Sequence, residues 1–177
     1  MASILAFAGS NSSTSINYTL VKHTVSLTLD HEIQTMNMAN CLFPMYSEDN
    51  EKEKGYSNSL VEFKNAIQKA DALIISVNEH NGSPSAYFKN LIDWLSRLER
   101  SFLSDKKILL MSTSPGKRGG IGALEVVKGL LPRFGAEIVA TFSLPSFAAN
   151  FDSQEGITDK DLAQEHQNAL EEFLKTL

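Results

Sequence analysis

Three short stretches of this chain concentrate hydroxyl, amide and glycine residues: Gly9-Ser10-Asn11-Ser12-Ser13-Thr14-Ser15-Ile16-Asn17, Asn78-Glu79-His80-Asn81-Gly82-Ser83 and Ser112-Thr113-Ser114-Pro115-Gly116-Lys117-Arg118-Gly119-Gly120. Their chemistry is recognition rather than bond making. Small hydroxyls and the unpaired N–H groups of a helix start suit a phosphate, and glycines let a backbone lie close to a flat ring. In the first stretch the same Ser and Asn residues serve equally as helix caps and turn formers, so their types alone leave capping and phosphate binding open.

Other chemistries lack their residues. The first stretch does not end in Gly-Lys-Ser/Thr and is not G-x-G-x-x-G, which excludes a P-loop and the dinucleotide fingerprint. His31-Glu32 starts like a zinc-protease helix, but Thr35 stands where the second histidine is needed. His23, His31, His80 and His166 are scattered without metal-ligand spacing, so no metal is expected. Gly82-Ser83-Pro84-Ser85 lacks the second glycine of a nucleophile elbow, and no catalytic side chain stands out. Lys117 and Arg118 suit either a coenzyme phosphate or a solvated loop.

The elements that position these stretches are legible from periodicity. Ile4 to Ala8, Ala72 to Val77 and Lys107 to Met111 are apolar runs that predict strands buried on both faces, and each runs directly into one of the three stretches. Glu32 to Met38 predicts a more exposed strand and Ala136 to Phe142 a fifth. Between them, Ile16, Leu20, Val21, Val25 and Leu29 mark one helix face, and Leu60, Phe63 and Ile67 a second, capped by Ser57 or Ser59. Pro84 is placed in the first turn of a helix carrying Phe88, Leu91, Ile92, Leu95 and Leu98, with Trp94 beside them. Leu124 to Leu131 is a fourth helix closed by Pro132 and Gly135, and the last is capped by Thr158 or Asp159 and faced by Leu162, His166, Leu170, Phe173 and Leu174. Asn40 to Asn58 shows neither period and is expected to be a loop, its charged run solvated.

Strands alternating with helices predict right-handed crossovers around a parallel sheet, a doubly wound α/β fold in one domain, residues 1–177. In such a sheet the loops at the carboxyl ends of the strands meet in one crevice, so three such loops predict one ligand site. At 42% hydrophobic and 21% charged, with net charge -5 and pI near 5.4, the chain has ordinary globular composition and no basic stripe for nucleic acid or an anionic membrane. Cys41 is the single cysteine, which precludes an intrachain disulfide and reads as a small apolar filler. Met1 to Ala8 is too short and lacks the basic flank of a signal peptide, and no run reaches membrane-spanning length, so a cytoplasmic location is expected.

The motifs extend to a family. Gly9-Ser10-x-x-x-x-Ser15-x-Asn17-x-x-Leu20 resembles the G-S-x-R-x-x-S-x-N-x-x-L opening of the NAD(P)H-dependent FMN reductases. Glu79-His80-Asn81-Gly82-Ser83, followed by Lys89-Asn90-Leu91-Ile92-Asp93-Trp94-Leu95-Ser96-Arg97, is similar to that family's P-E-Y-N-G-S and L-K-N-A-I-D-W-L-S-R segments. Leu42-Phe43-Pro44-Met45-Tyr46 resembles its L-P-L-Y flap, and Ser114-Pro115-Gly116-x-x-Gly119-Gly120 its third flavin loop. Phe151-Asp152 with Gly156-Ile157-Thr158-Asp159 extends the likeness over nearly the whole chain.

The resemblance implies a flavodoxin-like five-stranded parallel sheet of order 2-1-3-4-5 that binds FMN. It implies NADPH or NADH as co-substrate, a quinone, azo, metal-ion or free-flavin acceptor, and a homodimer or homotetramer. The phosphate falls to Ser10, Ser12, Ser15 and Asn17 and to backbone N–H groups, with Gly9, Asn11 and Ile16 of the same loop also binding the cofactor. The ring falls to Asn78, Glu79, His80, Asn81, Gly82, Ser112, Ser114, Gly116, Gly119 and Gly120, with Pro44, Met45 and Tyr46 as the flap. Two departures stand out: Ser12 replaces the family's arginine, and Asn78-Glu79-His80 replaces Pro-Glu-Tyr, which places an imidazole either as a proton donor or as a packing ring in the loop. A flavin-binding electron carrier, or a non-catalytic relative without tight flavin binding, are the alternative readings.

Overall fold

The computed structural model describes all 177 residues. In chain order the elements are β1 (Ser3–Ala8), α1 (Ile16–Ser26), β2 (Glu32–Met36), α2 (Glu48–Lys54), α3 (Asn58–Lys69), β3 (Ala72–Val77), β4 (Glu79–His80), β5 (Ser83–Pro84) and α4 (Ala86–Leu98). There follow β6 (Lys107–Thr113), α5 (Ile121–Leu130), β7 (Glu137–Leu144), α6 (Phe147–Asn150), β8 (Phe151–Asp152), β9 (Gly156–Ile157) and α7 (Lys160–Leu174). The central sheet runs β2-β1-β3-β6-β7 with every neighbour parallel, which is the expected 2-1-3-4-5 order once the two small hairpins are set aside.

Period-two alternation divides the core. Leu5, Phe7, Leu73, Ile75, Ile108 and Leu110 point to one side and pack with Phe63 of α3, Phe88 and Leu91 of α4, and Leu124 and Val127 of α5. Ile4, Ala6, Ile74, Leu109 and Met111 point to the other and meet Leu20 and Val21 of α1 and Leu170 and Phe173 of α7. Because both faces are covered, β3 is buried along its whole length and β1 from Ile4 onward, which is why these strands read as unbroken apolar runs. No helix is long and apolar enough to cross a membrane.

Three local expectations are corrected. The stretch expected to be loop contains α2, capped by the Ser47 hydroxyl, with Glu48, Asp49 and Glu51 in its first turn and Lys52 and Lys54 in its last. It has no buried residue, so it is stabilised by its cap and by charges matched to its dipole and leaves no hydrophobic period to read. Pro84 sits in β5, and α4 starts after Ser85, whose side chain accepts from the Phe88 amide. The second polar stretch is itself a hairpin, β4–β5, turned by Asn81 and Gly82 with φ of 53° and 75°. Positive φ at both central residues is the turn that Asn-Gly favours.

One buried polar residue makes the fold sensitive to acid. His166, on the apolar face of α7, is 2% exposed, its Nε2 lies 2.9 Å from the Thr24 hydroxyl, and Phe142 meets its ring edge-on. Burial pushes its pKa down to about 4, with His23 adding to the effect. A histidine depressed in the folded state stabilises the fold fully above its ordinary value of 6.5 and loses that contribution as pH falls towards 4. The urea midpoint should therefore drop between about pH 6.5 and pH 4, this residue accounting for about 3 kcal/mol. Replacing His166 with Gln should flatten that part of the pH profile.

Candidate functional site

The first loop leaves β1 at Gly9, whose amide donates to the Ser76 carbonyl at 2.8 Å and whose carbonyl accepts the Ser85 hydroxyl at 3.1 Å. A Cβ at Gly9 would drive into the Phe88 ring, so glycine is required there by close approach. Ser15 caps α1 by accepting from the Tyr18 amide, and the amides of Ile16 and Asn17, one turn too early for an intrahelical acceptor, stay unpaired. The Ser10 hydroxyl accepts from the Ser12 amide and the Ser12 hydroxyl from the Thr14 amide, both at 3.3 Å. The Ser10 hydroxyl retains its own proton for donation, and the Ser12 and Thr14 hydroxyls, 3.3 Å apart, commit one proton to each other and keep the other. The loop is a set of donors with no carboxylate among them.

Asn17 ties this loop to the other two. Its Oδ1 accepts the Ser76 hydroxyl at 2.7 Å and the Thr113 amide at 3.1 Å, while its Nδ2 donates to the Thr113 carbonyl at 3.1 Å. The side chain is 2% exposed and joins α1 to the carboxyl ends of β3 and β6. With both Oδ1 bonds and one N–H committed, its role is chiefly to position the crevice.

In the second loop, the Glu79 carboxylate accepts from the Ala123 amide at 2.9 Å, in the first turn of α5. That helix has Gly120 at its start and no side-chain cap of its own, so Glu79 caps it from another loop and meets its positive end. Gly122 allows the approach, since a Cβ there would come 2.9 Å from the Gly82 carbonyl oxygen. Asn78 Oδ1 is buried without a hydrogen-bond partner, while its Nδ2 lies 3.4 Å from His80 Nε2. Turning the amide over would leave its N–H group in the same position, so one buried polar atom lacks a partner either way.

The third loop is braced from the β7 side. Gly119 O accepts both the Ser112 hydroxyl at 2.8 Å and the Ser143 hydroxyl at 3.0 Å, and Gly116 O accepts the Ser146 amide at 2.9 Å. Gly116 to Gly119 is a tight turn with Lys117 and Arg118 at its exposed tip. Gly119 and Gly120 have φ of 59° and 78°, and a side chain at Gly119 would strike Ser143.

Together the loops enclose a cleft of about 280 Å³. Its walls are Ser10, Ser12, Ser15, Ile16 and Asn17 from the first loop, Asn78, Glu79 and His80 from the second, and Ser114 from the third. Thr14, Thr113 and Pro115, which belong to the same polar stretches, also line it. Gly9, Ser112, Gly116, Gly119 and Gly120 stand behind this lining as backbone supports, and Asn11, Asn81 and Gly82 lie outside it. Pro44, Met45 and Tyr46 are elsewhere: the Pro44 carbonyl accepts from Asn90 Nδ2 and Trp94 Nε1, and the Tyr46 ring meets Trp94 edge-on and borders a separate cavity beside Arg97. The flap therefore lies along α4. Two small residues with positive φ before a strand partner, Asn81-Gly82, are the signal that exposes the hairpin; nothing local marks the Glu79 cap.

A family profile described as NADPH-dependent FMN reductase matches residues 2–150. The chain is 36% identical over 77 residues to the quinone reductase of Escherichia coli K12, covering 44% of this chain and 41% of that protein. It is 34% identical over 76 residues to an NAD(P)H-dependent FMN reductase of Pseudomonas aeruginosa, covering 43% and 40%. The matched stretches thus span less than half the length of these curated relatives. In fold it is similar to the flavoenzyme NAD(P)H:acceptor oxidoreductase FerB of Paracoccus denitrificans, with a TM-score of 0.80 at 24% identity over 99% of this chain and 96% of that one.

The cross-ties predict an order of damage. Asn17→Ala leaves the buried Ser76 hydroxyl and both Thr113 backbone groups without partners and should cost about 3 kcal/mol in urea denaturation. Glu79→Ala, which removes a partly exposed cap, should cost about 1 kcal/mol.

Proposed function

This chain belongs to the NADPH-dependent FMN reductase family, and on that premise we propose that it is an FMN-dependent oxidoreductase carrying a hydride from NADPH or NADH to a small quinone or azo acceptor. The observation that carries the reading is the fit of the cleft to the cofactor. Unpaired helix amides and hydroxyl donors gather at one end, and Asn78, whose side-chain amide keeps one buried polar atom without a partner, lines the wall. FMN offers a phosphate for the first and ribityl hydroxyls and a ring N–H for the second.

When bound, FMN supplies the hydride chemistry. The protein's residues bind and orient. The amides of Ile16 and Asn17 with the hydroxyls of Ser10, Ser12 and Ser15 hold the phosphate, favoured by the positive end of α1. Asn78 accepts a hydrogen bond from the cofactor, and the hairpin, latched to α5 through Glu79, presents its backbone and His80 to the ring. Ser114, on a third loop that Gly119 and Gly120 let pack closely against Ser143 and Ser112, faces the ring from the other side. No side chain in the lining is placed as a nucleophile or general base, which suits a reaction whose electrons pass between two bound rings. We assign the exposed flap side chains Leu42 and Met45, 72% and 67% exposed, to subunit contact in a homodimer or homotetramer.

Purified protein mixed with FMN should retain the yellow flavin through gel filtration and oxidise NADPH with benzoquinone as acceptor. Colourless protein that neither binds FMN nor oxidises NADPH or NADH in its presence overturns the reading. Ser12→Arg restores a charge-assisted phosphate contact, and calorimetry should show FMN binding tightened by about tenfold to a hundredfold.

A further inference from the structure

The three loops that line the cleft hold two basic side chains among them, and those are adjacent, Lys117 and Arg118. Neither is in an ion pair; the salt bridges of the chain are Lys52–Glu48, Lys64–Glu99 and Lys89–Asp93. Both are exposed at the tip of the turn from Gly116 to Gly119. In a chain of net charge -5, two unpaired adjacent cations two and three residues beyond Pro115, which lines the polar cleft, form a distinct electrostatic feature.

Their mounting is rigid. The turn closes through the Gly119 amide on Gly116 O, and its two ends are tied to Ser143, Ser146 and Ser112 by hydrogen bonds of 2.8 to 3.0 Å. The Ser114 carbonyl is held in turn by the Phe147 amide at 3.1 Å. All but one of these anchors lie at the end of β7 or on the segment following it. The donors at the start of α1, by contrast, are fixed through Asn17 to β3 and the end of β6. The turn that carries the two cations is thus braced chiefly from β7 and the segment after it, whereas the α1 donors are braced from β3 and β6.

We propose that Lys117 and Arg118 are the specificity-determining residues for the reduced coenzyme, receiving the 2′-phosphate of NADPH and setting its preference over NADH. The inference rests on the proposed function. With the flavin phosphate at the α1 start, a nicotinamide laid on the ring leaves its adenosine half outside the cleft, and the third loop carries the cations that can meet it. Lys supplies a mobile point charge and Arg a fork that matches a phosphate, so the pair suits a dianionic monoester and gives nothing to a ribose hydroxyl. The α5 start behind the turn adds little to this, because Glu79 occupies its first-turn amide at Ala123.

The test uses the full chain with saturating FMN. Wild type should show kcat/KM for NADPH above that for NADH by about tenfold or more, and Lys117→Ala with Arg118→Ala should collapse that ratio through KM for NADPH. Calorimetry should show adenosine 2′,5′-bisphosphate binding to wild type, adenosine 5′-monophosphate failing to bind, and the double variant losing the bisphosphate. Equal loss with both coenzymes, an unchanged ratio, or weakened FMN binding in place of a changed ratio overturns the proposal. If the protein oxidises neither coenzyme yet binds the bisphosphate through these two side chains, the oxidoreductase reading fails and the phosphate site stands. If it binds neither adenosine compound, the phosphate site fails whatever the activity.

Discussion

The crevice depends on one buried amide. Strands of a parallel sheet end side by side, but nothing in the ladder dictates where the chain goes next, and loops rich in hydroxyls and glycine have little apolar surface with which to hold a shape. Asn17 supplies the constraint: from the first turn of α1 it bonds a side chain at the end of β3 and both backbone groups of Thr113 at the end of β6. A carboxamide suits this place because it carries acceptor and donor on one rigid plane and brings no charge into the interior. A carboxylate would have to accept where Thr113 O needs a donor, and a serine would not reach both strands.

Once that junction is set, the other ties are consequences of it. Gly9 can sit against Phe88 and hold the cap of α4 because Ser76 is fixed beside it; Glu79 can reach the start of α5 because β3 and β6 end in register. The labour is divided by depth. Buried polar groups, Asn17, Ser76, Ser85 and Ser112, face other protein groups and fix geometry, whereas the half-buried and exposed ones, Ser12, Thr14, Asn78 and His80, retain unused hydrogen-bonding capacity towards the cleft. A ligand site needs both kinds, since donors on an unbraced loop would lose on ordering what they gain on binding.

This division also governs what the sequence discloses. The strands are legible because burial on both faces leaves unbroken apolar runs, and the major helices because one apolar stripe is imposed on each. The loops following β1, β3 and β6 are legible as a site by composition and position. What is not legible is any relation between residues far apart in the chain. Glu79 and Ala123 are 44 positions apart, and no local pattern distinguishes a carboxylate that caps a distant helix from one that meets a ligand. The α2 helix is hidden for the opposite reason: with no buried side chain it has no hydrophobic signature, and its Ser47 cap and flanking charges form a signal only when read as an end-to-end set. The flap motif Pro44-Met45-Tyr46 is visible as a motif but not as a place, because its position is set by contacts to Asn90 and Trp94 on α4.

The absence of a cation from the first loop has a specific electrostatic consequence. No Lys, Arg or carboxylate occurs between Gly9 and Asn17, so whatever charge selectivity this end of the cleft has comes from the α1 dipole and from oriented hydroxyls. That dipole is left uncompensated: its first turn carries no acidic residue and its cap is the neutral Ser15. Of the other two helix starts held at these loops, α4 is capped by Ser85 and α5 is met by Glu79. α1 is also the helix whose first turn itself lines the cleft. Of these helix starts, α1 is the one whose positive end opens into the crevice. The field at this end of the cleft therefore favours negative charge at the Ile16 and Asn17 amides with no basic side chain between Gly9 and Asn17.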